Sequence, residues 1–141
     1  LDPVRPGLQE IQDGRCFYCG DRLGSGARKG PEVDHFIPWA RYPNNAVENL
    51  VVAHEKCNGH KRDFLAATEH VERWRSRIEP ETALADDLRT LAHDLDWETD
   101  RERSMGVARG IYLNLPADVP LWLRGQEFTE FDPGELGRVL A

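Results

Sequence analysis

Four soft metal ligands in two matched pairs are the feature that most constrains this chain. Two residues separate Cys16 from Cys19, and two residues separate His54 from Cys57. This spacing lets a tight turn direct both side chains of a pair at one tetrahedral Zn²⁺. Four protein ligands leave no open position on the ion, so the pairs predict a structural zinc site that ties two distant parts of the chain together.

Two alternatives to this zinc site remain open. His60 follows Cys57 at the same spacing, so His60 could replace His54 as the fourth ligand. The cysteines could also be small buried hydrophobic residues, because free Cys is among the most buried residue types. Two pairs at matching spacing favour metal ligation, and we expect His54 to be the fourth ligand.

The composition is typical of a soluble globular protein of one domain, or of a small motif with a helical extension. No run of about 18 apolar residues is present, so no membrane partner is expected. Three cysteines, an odd number, indicate metal ligation in a reducing cytoplasm rather than disulfides. The chain begins Leu1-Asp2-Pro3, with neither an initiating Met nor a signal peptide, and we expect a piece of a longer polypeptide.

The formal net charge of −7 would by itself argue against a nucleic-acid partner, because phosphate binding uses Lys and Arg. The charge is unevenly distributed. Residues 1–77 contain 12 Lys and Arg against 11 Asp and Glu, whereas residues 78–141 contain 6 against 14, giving net charges of +1 and −8. The first part could therefore face phosphates, and the second should avoid them.

Residue patterns predict two short strands flanking a turn. Alternation over 32–37, ending at Pro38, predicts a strand whose last residues present Asp34 and His35. A second strand is expected at 50–53, after a turn around Pro43. The Gly-rich segment 20–31 predicts a mobile connection.

Helical periodicity begins at Glu55 and predicts one helix that ends at Pro80. Its apolar residues lie three and four apart on one face: Phe64, Ala67, Val71, Trp74 and Ile78. Further helices are expected around 84–95 and 105–115, short strands near 121–123 and 128–131, and a last helical turn at 135–140. We therefore divide the chain into a core, 1–78, and an acidic, mostly helical extension, 79–141.

Several helical residues have an ordinary structural interpretation. His70 and His93 are expected to be solvated or capping residues, and the alternating Arg73, Arg75 and Arg77 to form a solvated face. The leucines of the second helix are expected to pack in the core, with a homodimer surface as the alternative.

Asp34 and His35 form the second group with chemical potential. A carboxylate oxygen suits Mg²⁺ or Mn²⁺, and a neutral imidazole can accept a proton from water. Adjacent strand residues point to opposite faces, so the two side chains can share a site only if the strand bends there.

Three motifs in this order carry a family resemblance: Val33-Asp34-His35-Phe36-Ile37-Pro38, Glu48-Asn49-Leu50-Val51-Val52-Ala53, and Lys56-Cys57-Asn58 followed by Lys61. Together they resemble the HNH endonuclease family of the zinc-containing ββα-metal type. The resemblance covers about Cys16 to Asp63, a third of the chain. It implies an α+β fold in which a two-stranded hairpin and one helix surround a divalent metal.

The resemblance also implies roles for single residues. His35 is similar to the general base that activates water, Asp34 and Asn58 to ligands of a catalytic Mg²⁺ or Mn²⁺, with Ni²⁺ as a further option. Asn49 is similar to the Asn that braces the hairpin loop, and Lys61 with Arg62 would meet phosphate oxygens. This chain departs from many relatives at His54, where they have a cysteine, and zinc accepts imidazole as readily.

The implied activity is metal-dependent hydrolysis of phosphodiester bonds in DNA. One alternative is a zinc-knotted module that binds nucleic acid or protein with little activity of its own, and another is an RNase. No recognition helix or arm can be named, so an upstream domain or a partner is expected to supply sequence specificity.

Overall fold

The computed structural model describes residues 1–24 and 30–141. The chain begins with helix α1 (Arg5–Ile11), which the sequence patterns did not predict because Pro6 and Gly7 are poor helix formers. Gln12, directly after α1, donates a hydrogen bond to Val52 O and accepts one from Val52 N, both at 2.8 Å. The end of α1 is therefore attached to the second strand of the hairpin.

The predicted ββα unit is present. Strands β1 (Glu32–His35) and β2 (Leu50–Ala53) pair antiparallel, with His35 opposite Leu50. Helix α2 (Glu55–Lys61) begins two residues after β2 ends. The predicted α+β class with an HNH-like core is thus confirmed.

Strand β1 is shorter than predicted, because it ends at His35 and not at Ile37. The Asn49 side chain accepts a hydrogen bond from Ile37 N at 2.8 Å and donates one to Ile37 O at 3.0 Å. Ile37 therefore pairs with a side chain and not with a neighbouring strand. A bend, which Asp34 and His35 would need in order to share a site, follows directly after them at Phe36.

The single helix predicted from Glu55 to Pro80 is in fact two helices. The chain turns at Arg62, which has a φ of +52°, and resumes as α3 (Thr68–Ile78). The segment between the helices bonds to a later strand: Leu65 O accepts from Trp122 N at 2.8 Å, and Ala67 N donates to Trp122 O at 2.7 Å. The helical periodicity of the sequence continues across this break, and the long-range bonds hold the segment between the two helices.

The acidic part of the chain contains helices and a small hairpin, as expected. Helices α4 (Ala83–Leu95) and α5 (Arg101–Tyr112) are followed by the paired strands β3 (Leu121–Arg124) and β4 (Glu127–Thr129), and then by α6 (Pro133–Val139). In the part of the chain that is described, no helix is long and apolar enough to cross a bilayer.

One buried cluster includes residues from both sides of the boundary predicted at residue 78. Trp122 on β3 is buried, and its ring lies 5.2 Å from that of Tyr18 and 5.4 Å from that of His70. Of the α4 leucines, Leu88 is buried whereas Leu84 is 40% exposed. The division into two domains stays a prediction, as does the homodimer.

Two predictions of solvated side chains are wrong. His70 is buried, with Nε2 2.6 Å from Leu123 O and Nδ1 2.8 Å from Arg73. Arg77 is also buried, over the Phe17 ring, and burial lowers its pKa to about 10. Both residues lie on the α3 face that packs against the rest of the protein, which the charge pattern alone did not reveal. Within the mobile connection predicted at 20–31, residues 25–29 lie outside the described residues.

Replacing Trp122 tests whether β3 is integral to the core. Trp122→Ala should lower the free energy of unfolding by about 3–5 kcal/mol, because it removes a large buried ring and leaves a cavity. Chemical denaturation measures this. Trp39→Ala is the matched control, since Trp39 is 51% exposed and its loss should cost far less. Equal effects of the two substitutions would contradict the packing described here.

Candidate metal centre and catalytic site

The two ligand pairs meet in one cluster. The ligand atoms of Cys16, Cys19, His54 and Cys57 all lie within 4.8 Å of one another. Zn–S bonds of about 2.3 Å put the ligands of a tetrahedral ion roughly 3.8 Å apart, so a zinc ion would need only small adjustments. Three thiol sulfurs and one imidazole are a donor set that suits zinc, and the cluster could hold this ion.

Local hydrogen bonds orient the ligands. The Cys16–Cys19 turn closes with a bond from Gly20 N to Cys16 O at 3.0 Å. His54 Nε2 lies 2.8 Å from Arg22 O, and a carbonyl only accepts, so Nε2 carries the proton. His54 Nδ1, 3.3 Å from Cys19 Sγ, is then free to bind metal, the outer-shell arrangement usual for ligating histidines.

The ionisation of the three thiols also favours a cation among them. Burial and charge on the neighbouring cysteines raise the pKa of Cys57 to about 12, and burial raises the pKa of Cys19. At Cys16 burial also acts to raise the pKa, but hydrogen bonds around Cys19 and His54 outweigh it and lower the pKa. A cation among the three sulfurs would offset the charge of the thiolates and so favour their formation.

Asp34 lies against a buried positive charge. Its Oδ2 accepts from the Tyr18 hydroxyl at 2.5 Å and is 3.2 Å from Lys61 Nζ. Lys61 also donates to His35 O at 3.2 Å, and its side chain is fully buried. Burial lowers the pKa of Lys61, whereas the Asp34 charge opposes this shift. Burial and the Asp34 charge raise the pKa of Tyr18 well above its usual value, so its hydroxyl remains a donor.

The candidate ligand Asn58 lies on the same interface between β1 and α2. Its Nδ2 donates to Glu32 Oε1 at 3.1 Å. Glu32 and Asp34 are two residues apart on β1 and share a face, while Asn58 and Lys61 are neighbours one turn apart on α2. This interface therefore collects two carboxylates, an amide and an ammonium. The structure joins Asp34 to Lys61 and Asn58 to Glu32.

His35 makes a different set of contacts. Its Nε2 lies 2.8 Å from Asn45 Oδ1, and its ring centroid is 5.3 Å from that of Trp39. Trp39 is 51% exposed beside the imidazole.

The two residues predicted to meet phosphate lie in different surroundings. Arg62 is exposed at the end of α2, whereas the Lys61 ammonium is buried on Asp34. The phosphate contact of both residues stays a prediction, and Lys61 would have to leave Asp34 to make it.

Sequence reasoning missed three partners of the candidate site: Tyr18, Glu32 and Asn45. Asn45 lies in the turn predicted around Pro43, and Tyr18 lies between two cysteines of one ligand pair, so neither position indicates a contact with the site. Glu32 had a signal that could have revealed it, because the strand period places it on the face of Asp34.

Comparison with known proteins agrees with this architecture. The segment from residue 16 to residue 67 matches a family model described as HNH endonuclease. Residues 16–67 are an HNH endonuclease-family domain. This HNH domain contains the ββα unit, both ligand pairs and the segment that links α2 to α3. The resemblance inferred from the motifs is thereby confirmed.

A relative with similarity in part of its length is the Septu protein PtuB of Bacillus thuringiensis. It is 38% identical over 60 residues, which are 41% of this chain and 23% of PtuB. The aligned part thus spans about a quarter of that protein. An HNH domain supports a nuclease-type function in general terms.

The zinc cluster can be tested by metal analysis of purified protein. We expect about one zinc per chain, lost in Cys19→Ser and in His54→Ala but kept in His54→Cys, which retains four soft ligands. His60→Ala is the matched control and should keep its zinc. Loss of the ion should lower the melting temperature by more than about 10 °C, since zinc binding contributes directly to folding. Zinc lost in His60→Ala but kept in His54→Ala would reverse the assignment.

Proposed function

We propose that the protein is a metal-dependent endonuclease that hydrolyses phosphodiester bonds in DNA, with His35 as the general base. The observation that carries the proposal is the coincidence of two features within residues 16–67. This segment matches the HNH endonuclease family, and its ββα unit brings Glu32 and Asp34 on β1 against Asn58 on α2.

The residues at this interface fit a hard divalent cation such as Mg²⁺ or Mn²⁺, with Ni²⁺ as a further option. Tyr18 and Lys61 both contact Oδ2 of Asp34, so Oδ1 takes no part in either contact. Asn58 directs its Nδ2 toward Glu32, which leaves its amide oxygen available as a metal ligand. Carboxylate and amide oxygens are the ligands such ions prefer. Bound by Asp34 and Asn58, the cation would neutralise charge on the phosphate.

The chain's own residues supply the proton transfer. Asn45 Oδ1 only accepts, so His35 Nε2 donates to it and Nδ1 is left to take a proton from water. The water oxygen forms a bond to phosphorus in line with the 3′ oxygen, the bond from phosphorus to that oxygen breaks, and solvent protonates it. The products are a 5′ phosphate and a 3′ hydroxyl. Arg62, exposed beside the site, binds a phosphate oxygen, and Lys61 does so after leaving Asp34.

One observation favours the alternative of a zinc-knotted binding module with little activity of its own. A buried ammonium already offsets the Asp34 charge, at 3.2 Å, and a metal bound there would meet that positive charge. An endonuclease requires a cation to bind despite this repulsion. The two proposals therefore differ in whether the protein cleaves nucleic acid when a divalent metal is added.

Specificity is proposed to come from outside this HNH domain, from an upstream domain or a partner. The relative PtuB is aligned over 23% of its length, so most of that protein has no counterpart in the alignment. Nucleic acid, most simply DNA, is the proposed substrate.

Replacing the general base tests the endonuclease directly. His35→Ala should reduce the rate of plasmid cleavage by about a hundredfold to ten-thousandfold, because a positioned base contributes that much to the rate. Nicked and linear products are measured on gels with Mg²⁺, Mn²⁺ or Ni²⁺, and again with EDTA. His93→Ala is the control, since that side chain is 89% exposed on α4. Wild-type cleavage by His35→Ala would remove the proposed base, and wild-type protein inactive with every metal would favour the binding module.

Matched substrates distinguish DNA from RNA. With DNA as the proposed substrate, we expect the protein to cut a DNA duplex and its single strands at least tenfold faster than RNA of the same sequence. Competition between labelled substrates, followed on denaturing gels, measures the ratio of kcat/KM. Preferential cutting of the RNA would make the protein an RNase.

A further inference from the structure

The connection between β1 and β2 carries a residue that touches the proposed base. Asn45 Oδ1 lies 2.8 Å from His35 Nε2. A half-buried imidazole at the end of a strand could otherwise rotate about its side-chain torsions, and each orientation would direct Nδ1 elsewhere. A fixed acceptor on Nε2 restricts the ring to orientations that keep this bond.

Asn45 is itself held from the acidic part of the chain. The indole Nε1 of Trp97 donates to Asn45 O at 2.7 Å. Trp97 follows the end of α4, more than 50 residues from its partner in sequence, so the bond is purely tertiary. It fixes the backbone from which the Asn45 side chain extends.

The neighbours of Asn45 are held by the same segment, residues 97–100, which we name the brace. Asn44 Nδ2 donates to Glu98 Oε1 at 2.8 Å, and Val47 N donates to Glu98 O at 2.9 Å. The buried carboxylate of Glu48 accepts from Thr99 Oγ1 at 2.5 Å and from Asp100 N at 2.8 Å. Five hydrogen bonds thus join the brace to residues 44–48.

We propose that Asn45 is a positioning residue that sets the ring orientation of His35, and that the brace holds Asn45 in place. The inference rests on the proposed function, because it assigns Asn45 to the same reaction. It gives the brace, in the acidic extension, a role in catalysis that its charge does not suggest. A base displaced by about 1 Å can lose about a hundredfold in rate, so a single bond at this point has a large effect.

Truncation and rescue at Asn45 form the first test. Asn45→Ala should lower kcat about ten- to hundredfold and leave KM within twofold, because substrate contacts are unchanged and only the base is misaligned. Asn45→Asp keeps an acceptor oxygen and should restore kcat to within about fivefold of wild type. Thermal melting checks that each variant is folded. A kcat within twofold of wild type in Asn45→Ala would overturn the proposal.

The brace is tested by removing one donor. Trp97→Phe keeps a ring but loses the N–H that binds Asn45 O, and we expect kcat to fall at least threefold. Trp122→Phe is the matched control, because Trp122 Nε1 also donates to a backbone carbonyl, that of Gly125 at 3.0 Å, within the β3–β4 hairpin. Trp122→Phe should leave kcat unchanged. Combining Asn45→Ala with Trp97→Phe should add no further loss, since both act through one bond to His35.

A measurement without catalysis separates positioning from general stability. In metal-free protein with ¹⁵N-labelled histidine, NMR should detect the His35 Nε2–H proton as hydrogen-bonded in wild type and in Asn45→Asp. The signal should be lost to solvent exchange in Asn45→Ala.

The possible results distinguish this inference from the proposed function. An inactive His35→Ala with a fully active Asn45→Ala and Trp97→Phe would overturn only the positioning role. A fully active His35→Ala would instead overturn the endonuclease mechanism. If Asn45→Ala fails to fold, Trp97→Phe decides. An unchanged kcat in Trp97→Phe overturns the role of the brace, and a kcat reduced at least threefold supports it.

Discussion

The rest of the structure depends on the long connection between β1 and β2, whose buried polar groups all need hydrogen-bond partners. It runs from residue 36 to residue 49, far longer than a tight hairpin turn, and it buries Asn44, Glu48 and Asn49. Buried polar groups without partners cost free energy. Asn49 bonds to Ile37, Trp74 and Arg77 on α3 bond to Glu48 O, and the brace bonds to the rest. The connection is thus held by bonds within itself and by bonds from two other parts of the chain, α3 and the brace.

Several of the positively charged side chains are bound within the protein. Lys61 is buried against Asp34, and Arg77 is buried with one nitrogen on Glu48 O, while its Nε and Nη1 have no hydrogen-bond partner among residues 1–24 and 30–141. Arg73 bonds to Phe17 O and to His70. Cations that looked available for phosphate therefore stabilise the fold. The proposed attraction for nucleic acid would therefore rest on fewer residues, among them the exposed Lys56 and Arg62.

The four-ligand cluster and the brace hold different sides of the candidate site. The cluster ties the turn at Cys16 and Cys19 to the start of α2, and Tyr18 within that turn reaches Asp34. The brace holds the opposite end of the site, at Asn45 and His35. A metal ion held by the cluster would thus support the proposed ligand side of the site, and hydrogen bonds support the proposed base.

The sequence by itself determined the ligand pairs, the two strands, the ββα order and the family, because each depends on residue types at short spacing. It could not determine the break at Arg62, the buried state of His70 and Arg77, or the partners Tyr18 and Asn45. Those depend on contacts between residues far apart in the chain, such as Leu65 with Trp122 and Asn45 with Trp97, which a local period does not encode. Tertiary packing alone decided them, because burial forces each polar group to a partner wherever the fold supplies one.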